Sequence, residues 1–486
     1  MPTDPRMSDD SMKSFFLFGV VCCFFLLRVV FLWLHQSGPA YFYSDSCSHI
    51  LNGLWHIEGN VPWRWSWRFF PLAGTLFGLT HKAGIDLYWA SICVNGLFGL
   101  GVLACLFHAV KRWADDFASV ITCVLVVLYP AFPKLVLSGQ PEMTALLMVC
   151  LALWILLFRG TTKDRRRLGV DIAIVSFLGL AMFARAESAG LLFAVIGLLL
   201  VQWRKDKALL AVLATYCVAL VWWRFPSLFG HSLKAFEGNQ GVLSPGWAFR
   251  LMHIPRWLWD GGILLLIAGL AGSAVLWSGM RRWEVRWIYL LAILQFVFLW
   301  GASWFNLFSM ETDRNFMLVL LLTAIPAGVA ISERFSWMKR RAILFSVLVV
   351  ALASGWVLVS KQERADVYPG IERQRNLGLM MKTPPYPHLL DRDSAVLIYE
   401  ASDGDWPNFC VFSGCPQRIR LVSSLDVEWG RKQVWRGDEP FGLVVLSSTT
   451  VPESIRPPVI PVKLLETRQE NKFYRPPRRG YEDRVE

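Results

Sequence analysis

Charged residues are scarce in this chain. Only 18% of its 486 residues are Asp, Glu, Lys or Arg, whereas 55% are hydrophobic. Soluble domains usually have about 25% charged and about 45–50% apolar residues. The sequence also lacks a Cys-x-x-Cys pair and any repeat or low-complexity tract, so a zinc-binding module, a disordered chain and a collagen-like fibre are excluded. With 24 Trp and 33 Phe, the composition is typical of a polytopic membrane protein.

The net charge of +12 does not indicate a nucleic-acid partner. Lys and Arg lie in short clusters between long apolar runs, the arrangement that membrane topology requires. The expected surroundings are therefore membrane lipid, and we expect no nucleic acid to bind.

About eleven apolar runs are long enough to be predicted as transmembrane helices, since crossing the hydrocarbon core takes roughly 20 residues. They are 14–34, 86–110, 117–133, 141–158, 169–185, 188–203, 208–224, 261–280, 287–304, 315–331 and 342–360. The segment 69–80 is apolar but too short to cross, so we expect it to be interfacial or re-entrant. The first run is too long for a cleaved signal and is expected to remain as a helix.

The distribution of Lys and Arg predicts the orientation. Alternate short loops carry 17 Lys and Arg on one side and 3 on the other, and the richer side is cytoplasmic by the positive-inside rule. The N-terminus is then cytoplasmic, while the loops 35–85 and 225–260 face outward. We expect a multi-pass protein of a bacterial inner membrane.

The polar, Pro-rich tail is predicted to be a separate unit. We expect an all-α membrane domain over 1–360 and a small periplasmic α/β domain over 361–486. Short strands are predicted at Ser394–Tyr399, Gly442–Leu446 and Val462–Thr467. In an oxidising compartment Cys410 and Cys415 would form either a disulfide or two free thiols.

Acidic residues at the predicted outer face are the first candidates for chemistry. Asp45 lies in the first outer loop among aromatic and hydroxyl residues, and is either a general base or a cap for the helix that begins near Ser48. Glu142 follows Gly139-Gln140-Pro141 at the outer start of a helix, where capping alone is the alternative to a functional role. Its function would be that of a second acid or an acceptor contact.

Further charged groups flank two other outer turns. Arg185 and Glu187 share a tight turn, where they either face a cavity or pair with each other. Asp313 and Arg314 open a late helix from the same side. Arg28 lies inside the first helix, and we expect it to snorkel to the interface.

This set of groups suits sugar transfer from a phosphate-linked lipid. A carboxylate can take the proton of an attacking hydroxyl, and arginines can hold a phosphate and stabilise it as it leaves. Because phosphate leaves readily, no second carboxylic acid is needed, unlike in a glycosidase. Arginine also lessens the need for a metal, so no cofactor is predicted and a divalent metal is not favoured.

At these residues the chain resembles the GT-C class of membrane glycosyltransferases, including bacterial mannosyltransferase-like and aminoarabinose-transferase-like members. The resemblance rests on Asp45, the acidic turn Gly139–Glu142, the turn with Arg185 and Glu187, and Asp313-Arg314 before the Pro326 helix. It implies that Asp45 is the base and that Arg185 and Arg314 bind donor phosphate. Glu142, Glu187 and Asp313 would be acceptor-side or second-site acids. The lone Asp45, without a neighbouring Asp or Glu, departs from the metal-dependent protein O-mannosyltransferase pattern.

We therefore predict a glycosyltransferase that moves a sugar from a polyprenyl-phosphate donor to a lipid, glycan or protein acceptor, with inversion. One alternative is a transporter or flippase of a lipid-linked glycan, although transporters favour charges near the bilayer midplane and repeated halves. The other is a membrane assembly subunit without catalysis.

Overall fold

The computed structural model describes residues 6–35, 49–51, 53–54, 57–58, 71–159, 164–185, 188–203, 252, 254–255, 258, 262–277, 283–304, 312–334, 395–399, 411, 419–421, 441–446, 463–468 and 471–475. These residues group into two compact units, one of 1–39 and 92–365, the other of 40–91 and 366–486. The two units are described separately below.

The first unit is a bundle of apolar helices. Its helices are α1 (Arg6–His35), α3 (Leu87–Trp113, which begins in the other unit), α4 (Asp116–Leu128), α5 (Ala131–Leu137), α6 (Glu142–Arg159), α7 (Asp164–Ala184), α8 (Ala189–Trp203), α9 (Ile263–Trp277), α10 (Trp283–Trp304), α11 (Thr312–Asn315) and α12 (Met317–Arg334). Most of these helices overlap predicted spans, but α5 lies largely past the end of the predicted span 117–133 and α11 lies largely before the predicted span 315–331. The predicted spans 208–224 and 342–360 lie outside the described residues.

By length and composition, three of the described helices can cross a membrane. They are Met12–Leu34, Leu87–Trp113 and Met317–Arg334, and the bent pair α4 and α5 is a fourth if it counts as one span. This supports a membrane-embedded protein, while the predicted count of eleven stays a prediction.

Helix α12 is the centre of the bundle. Almost all of its residues are buried, and it packs against α4, α9 and α10. Gly328 permits a close approach to α4, because a Cβ there would lie 2.2 Å from Thr122 Oγ1. A helix buried on all sides must be apolar all round, which explains why its sequence shows little polarity outside its ends.

The predicted span 117–133 is not one straight helix. Helices α4 and α5 meet at an angle of 62°. Pro130 stands at the break, and because proline has no N–H it cannot continue the hydrogen-bond ladder of α4. The predicted span 117–133 thus corresponds to a bent helix pair, and the sequence did not predict the bend.

Arg28 does not snorkel, contrary to the sequence-based expectation. Its side chain turns into the bundle, is 6% exposed and donates from Nη1 to the main-chain oxygen of Val127 at 2.8 Å. Val127 lies in the last turn of α4, where carbonyls lack partners within the helix. The break in α4–α5 thus creates the acceptor that keeps this cation inside.

At one end of the bundle, Asp115 caps α4 and joins it to α12. Its carboxylate accepts the N–H of Ala118 at 2.8 Å. The hydroxyl of Ser332, near the end of α12, donates to both carboxylate oxygens at 3.0 and 3.1 Å. This carboxylate therefore caps one helix and attaches it to another.

Asp116 extends the same connection to two more helices. It accepts from Ser14 of α1 at 2.8 Å and forms an ion pair with Lys111 of α3 at 3.0 Å. Ser14, Lys111, Asp115, Asp116 and Ser332 together are called the aspartate cluster below.

The second unit contains α2 (Pro71–Lys82) and a mixed five-stranded sheet. At 12 residues, α2 is about 18 Å long, too short to cross a bilayer, as its sequence predicted. The strands are β1 (Ala395–Tyr399), β2 (Ile419–Leu421), β3 (Phe441–Leu446), β4 (Lys463–Arg468) and β5 (Asn471–Arg475).

The strand order in the sheet is β2-β1-β3-β5-β4. Strand β1 pairs in parallel with β2 and β3, whereas β3 and β4 pair antiparallel with β5. Strands β1 and β3, which pair in parallel, are continuous apolar runs, a pattern typical of parallel strands. Strands β1, β3 and β4 lie within one residue of those predicted. The α/β domain as a whole stays a prediction, because the described residues after 395 are strands apart from the helical Val411.

Candidate active site: an arginine cluster at one end of the bundle

The turn between α5 and α6 presents Glu142 at the start of a helix. Gly139 in this turn has φ 63°, a left-handed conformation that glycine adopts at little cost. Pro141 precedes Glu142, and α6 begins at Glu142 itself. The carboxylate therefore lies at the positive end of the helix dipole, although the residue is only 5% exposed.

Two arginines from distant parts of the chain approach this carboxylate. Arg185, directly after α7, places Nη2 at 3.1 Å from Glu142 Oε1. Arg314, in α11, places Nε at 3.8 Å from the same oxygen. All three side chains are largely buried, with 6% of Glu142, 13% of Arg185 and 4% of Arg314 exposed.

Among the described residues, two guanidinium groups face one carboxylate in a largely buried place. Buried charges are costly unless they are paired. A guanidinium group has five N–H donors and can bind more than one oxygen, so two arginines held this close together are suited to binding an anionic ligand beside Glu142.

Asn315 and Ser188 complete the polar lining of a small pocket that is partly open to solvent. Arg185 Nη2 also donates to Asn315 Oδ1 at 3.3 Å. The rest of the lining is apolar and consists of Ala145, Leu146, Met317 and Leu318. Below, Glu142, Arg185, Ser188, Arg314 and Asn315 are called the arginine cluster. Guanidinium groups suit phosphate oxygens.

The structure brings together three candidates that the sequence placed at separate helix ends, namely Glu142, Arg185 and Arg314. Arg185 pairs with Glu142. Glu187, the other partner considered from the sequence, lies outside the described residues. Asp45, Cys410 and Cys415 also lie outside them, as does the side chain of Asp313.

Asn315 and Ser188 were not predicted from the sequence. Asn315 directly follows Arg314, and Ser188 opens α8 three residues after Arg185. The only indication of these two residues in the sequence was their closeness along the chain to Arg314 and Arg185. Asn95, a polar residue in the apolar run of α3, carried a clearer signal that was also missed.

Divalent cations take several oxygen ligands, whereas the charged neighbours of Glu142, within the part of the chain that the structure describes, are the guanidinium groups of Arg185 and Arg314. Among the described residues, no group of three or more His, Cys, Asp or Glu side chains is placed to hold a metal.

Comparison with known proteins gives one family match from sequence. A profile of the Dolichyl-phosphate-mannose-protein mannosyltransferase family matches residues 71–223, which is less than half of the chain. This stretch contains Asn95, Glu142 and Arg185. No curated protein matches the sequence.

Solved structures show the same fold. ArnT from Cupriavidus metallidurans bound to undecaprenyl phosphate has a TM-score of 0.58 and 14% identity, over 93% of this chain and 97% of ArnT. Its apo state gives a TM-score of 0.54 and 14% identity over 92% and 97%. The oligosaccharyltransferase of Archaeoglobus fulgidus in its apo form gives 0.51 and 12% identity, over 84% of this chain and 64% of that enzyme.

The chain therefore has the GT-C fold, and the resemblance stated from its sequence is confirmed. The profile match within that fold also confirms the prediction of a GT-C-type glycosyltransferase.

Proposed function

We propose that the protein transfers a sugar from a polyprenyl-phosphate donor to a hydroxyl or amine of a lipid, glycan or protein acceptor, at the outer face of a bacterial inner membrane. The observation that carries this proposal is the arginine cluster, where Arg185 and Arg314 share one carboxylate beside a pocket with an apolar lining. The structural similarity to ArnT bound to undecaprenyl phosphate supports the same class of donor.

The reaction is a single displacement. The acceptor oxygen or nitrogen forms a bond to the anomeric carbon, while the bond from that carbon to the donor phosphate oxygen breaks. The configuration inverts, and the electron pair of the broken bond stays on the phosphate. Arg185 and Arg314 stabilise the charge that develops there, and Asp45 accepts the acceptor's proton.

Glu142 has a second role in this proposal. It partly neutralises the two arginines when the donor phosphate is absent. It then competes with the phosphate for the same guanidinium groups, and a Glu142 carboxylate released by the phosphate can receive a hydrogen bond from the acceptor. We also propose that Glu187 and Asp313 are further acids on the acceptor side.

A transfer assay with purified protein in nanodiscs tests the proposal. Wild type and Asp45→Asn are supplied with a panel of polyprenyl-phosphate sugars. Loss of a general base typically costs about 10²- to 10⁴-fold in turnover, so we expect a loss of that order with donor binding retained.

Asp86→Asn is the matched control for this experiment. Asp86 is also an acid near the predicted outer surface, but its Oδ1 accepts the N–H of Tyr88 at 3.1 Å at the start of α3, the role of a cap. Unchanged turnover in Asp45→Asn would remove Asp45 from the mechanism. Movement of lipid-linked glycan across vesicles without sugar transfer would favour the transporter.

A further inference from the structure

Asn95 is a buried amide in a helix that is otherwise apolar around it. It lies in α3 and is 0% exposed. A buried amide is costly unless it is hydrogen-bonded. The surrounding structure must therefore supply hydrogen-bond partners for the Asn95 side chain.

Both N–H groups of the Asn95 amide donate to main-chain oxygens. Nδ2 lies 3.1 Å from Leu135 O and 3.0 Å from Gln140 O. An asparagine amide nitrogen has two N–H donors, so its donor capacity is fully used. These two oxygens also fix which way the Asn95 amide is turned, because its own oxygen, if it replaced Nδ2, would face two other oxygens.

These two oxygens lie on either side of the turn that leads to Glu142. Leu135 is in the last turn of α5, where carbonyls lack a partner within the helix. Gln140 comes two residues before Glu142. Between them, Gly139 has a positive φ and Ser138 donates its hydroxyl to Leu135 O at 3.2 Å. Asn95 thus connects the two ends of the turn through a helix that lies elsewhere in the sequence.

We infer that Asn95 is a positioning residue for Glu142, holding the α5–α6 turn so that the carboxylate stays against Arg185 and Arg314. The inference rests on the proposed function, because it assigns those arginines to donor phosphate. It adds a residue that sets how strongly the pocket attracts an anion.

The physical argument concerns competition between two anions. A carboxylate already held in place competes with phosphate for the guanidinium groups without further loss of entropy. A carboxylate on a loosened turn must be ordered again to compete, which costs free energy. Loss of Asn95 should therefore strengthen phosphate binding, whereas general damage to the fold should weaken it.

The test measures binding of undecaprenyl phosphate to the full-length protein in nanodiscs, together with its thermal unfolding. The variants are Asn95→Leu, Glu142→Gln and the double variant. We expect Glu142→Gln to bind about threefold to tenfold more tightly, since a competing charge is removed. Asn95→Leu should bind more tightly by at least about twofold, and should change affinity little in the Glu142→Gln background.

Ser91→Ala is the matched control. Ser91 is a buried polar residue one turn earlier in α3, but its hydroxyl donates to Tyr88 O at 2.8 Å within the same helix. It should leave affinity unchanged. Asn95→Asp keeps the side-chain size and offers at most one donor, so its affinity should lie between those of wild type and Asn95→Leu.

Two results would overturn the inference. One is weaker binding in Asn95→Leu. The other is an equal change of affinity with and without Glu142, which would show that Asn95 does not act through this carboxylate. If no variant binds undecaprenyl phosphate, the donor-phosphate assignment fails, and the unfolding temperatures decide the positioning role. If the falls in unfolding temperature of Asn95→Leu and Glu142→Gln are not additive in the double variant, the two residues are coupled and the positioning role is supported. Additive falls in unfolding temperature refute the positioning role.

Discussion

Helix α12 separates two polar clusters that use charge in different ways. Its 18 residues rise about 27 Å, with Arg314 and Asn315 just before its first residue and Ser332 near its last. In the aspartate cluster, two carboxylates are matched by Lys111, two hydroxyls and a helix N–H. In the arginine cluster, one carboxylate faces two arginines beside a pocket.

Exposure sharpens the contrast. Lys111 and Asp116 are 35% and 32% exposed, so water solvates part of their charge. Glu142 and Arg314 are 6% and 4% exposed. A partly hydrated cluster whose contacts run between helices joins those helices, whereas two largely buried arginines beside a pocket are suited to binding an anion. The comparison therefore predicts that mutations at one end change binding and that mutations at the other change stability.

Arg314→Gln should have the largest effect. Glutamine keeps a polar side chain but removes the positive charge that the proposed function assigns to binding of the donor phosphate. Loss of one stabilising donor typically costs about 10²- to 10³-fold in turnover. We expect a loss of that order in the transfer assay, with undecaprenyl phosphate bound at least about tenfold more weakly.

The control for Arg314→Gln is the same change at the other end, Lys111→Gln. It removes one positive charge from the aspartate cluster and should leave affinity and turnover within about twofold of wild type, because the distance exceeds a Debye length. Equal losses in both variants would mean that net charge, and not the arginine cluster, attracts the phosphate.

Much of the bundle could be predicted from the sequence, because lipid requires long apolar runs and short charged loops. The helices α3, α6 and α8 begin and end within three residues of the predicted spans, whereas α1 begins at Arg6, eight residues before its predicted start at 14. The break between α4 and α5 was missed. The sequence shows Pro130, but the apolar run continues past it. Only the tertiary contacts of Arg28 and Asn95 show which side chains donate to the main-chain oxygens that the break leaves without a helical partner.

The candidate site could be predicted in part. Glu142, Arg185 and Arg314 stood out as charges at helix ends, where apolar surroundings make each charge conspicuous. Their convergence was expected from the resemblance, which assigns both arginines to one phosphate. The direct contact of both arginines with Glu142 was not predicted, because it depends on how distant helices pack. For Arg28 the same reasoning failed, since snorkelling is the usual result for a cation in a span and only the bent pair supplies an inward acceptor.

Asp115→Ala should have the next largest effect, and it should be confined to stability. The change removes the cap of α4 and leaves the buried Ser332 hydroxyl without this acceptor. Loss of an N-cap typically costs about 1 to 2 kcal/mol. Thermal unfolding in detergent should show a lower midpoint, while the affinity for undecaprenyl phosphate stays unchanged.

Asp115→Asn provides the control, since asparagine is also a good N-cap. It should recover most of the stability lost in Asp115→Ala. If instead Asp115→Ala weakened phosphate binding at a temperature where the protein remains folded, the two ends of α12 would be coupled, and the division of roles between the clusters would be wrong.

Lys111→Met should have the smallest effect. Methionine retains an unbranched apolar chain but removes the ion pair with Asp116. Pairs at this exposure contribute under about 1 kcal/mol and are screened by salt. We therefore expect a small fall in the unfolding midpoint at low ionic strength, and a smaller one in high salt. Asp116 also accepts from Ser14 at 2.8 Å, so its carboxylate keeps a partner in the variant. A large loss of stability that salt does not reduce would show that Lys111 is as tightly bound into the fold as the buried groups at the opposite end of α12.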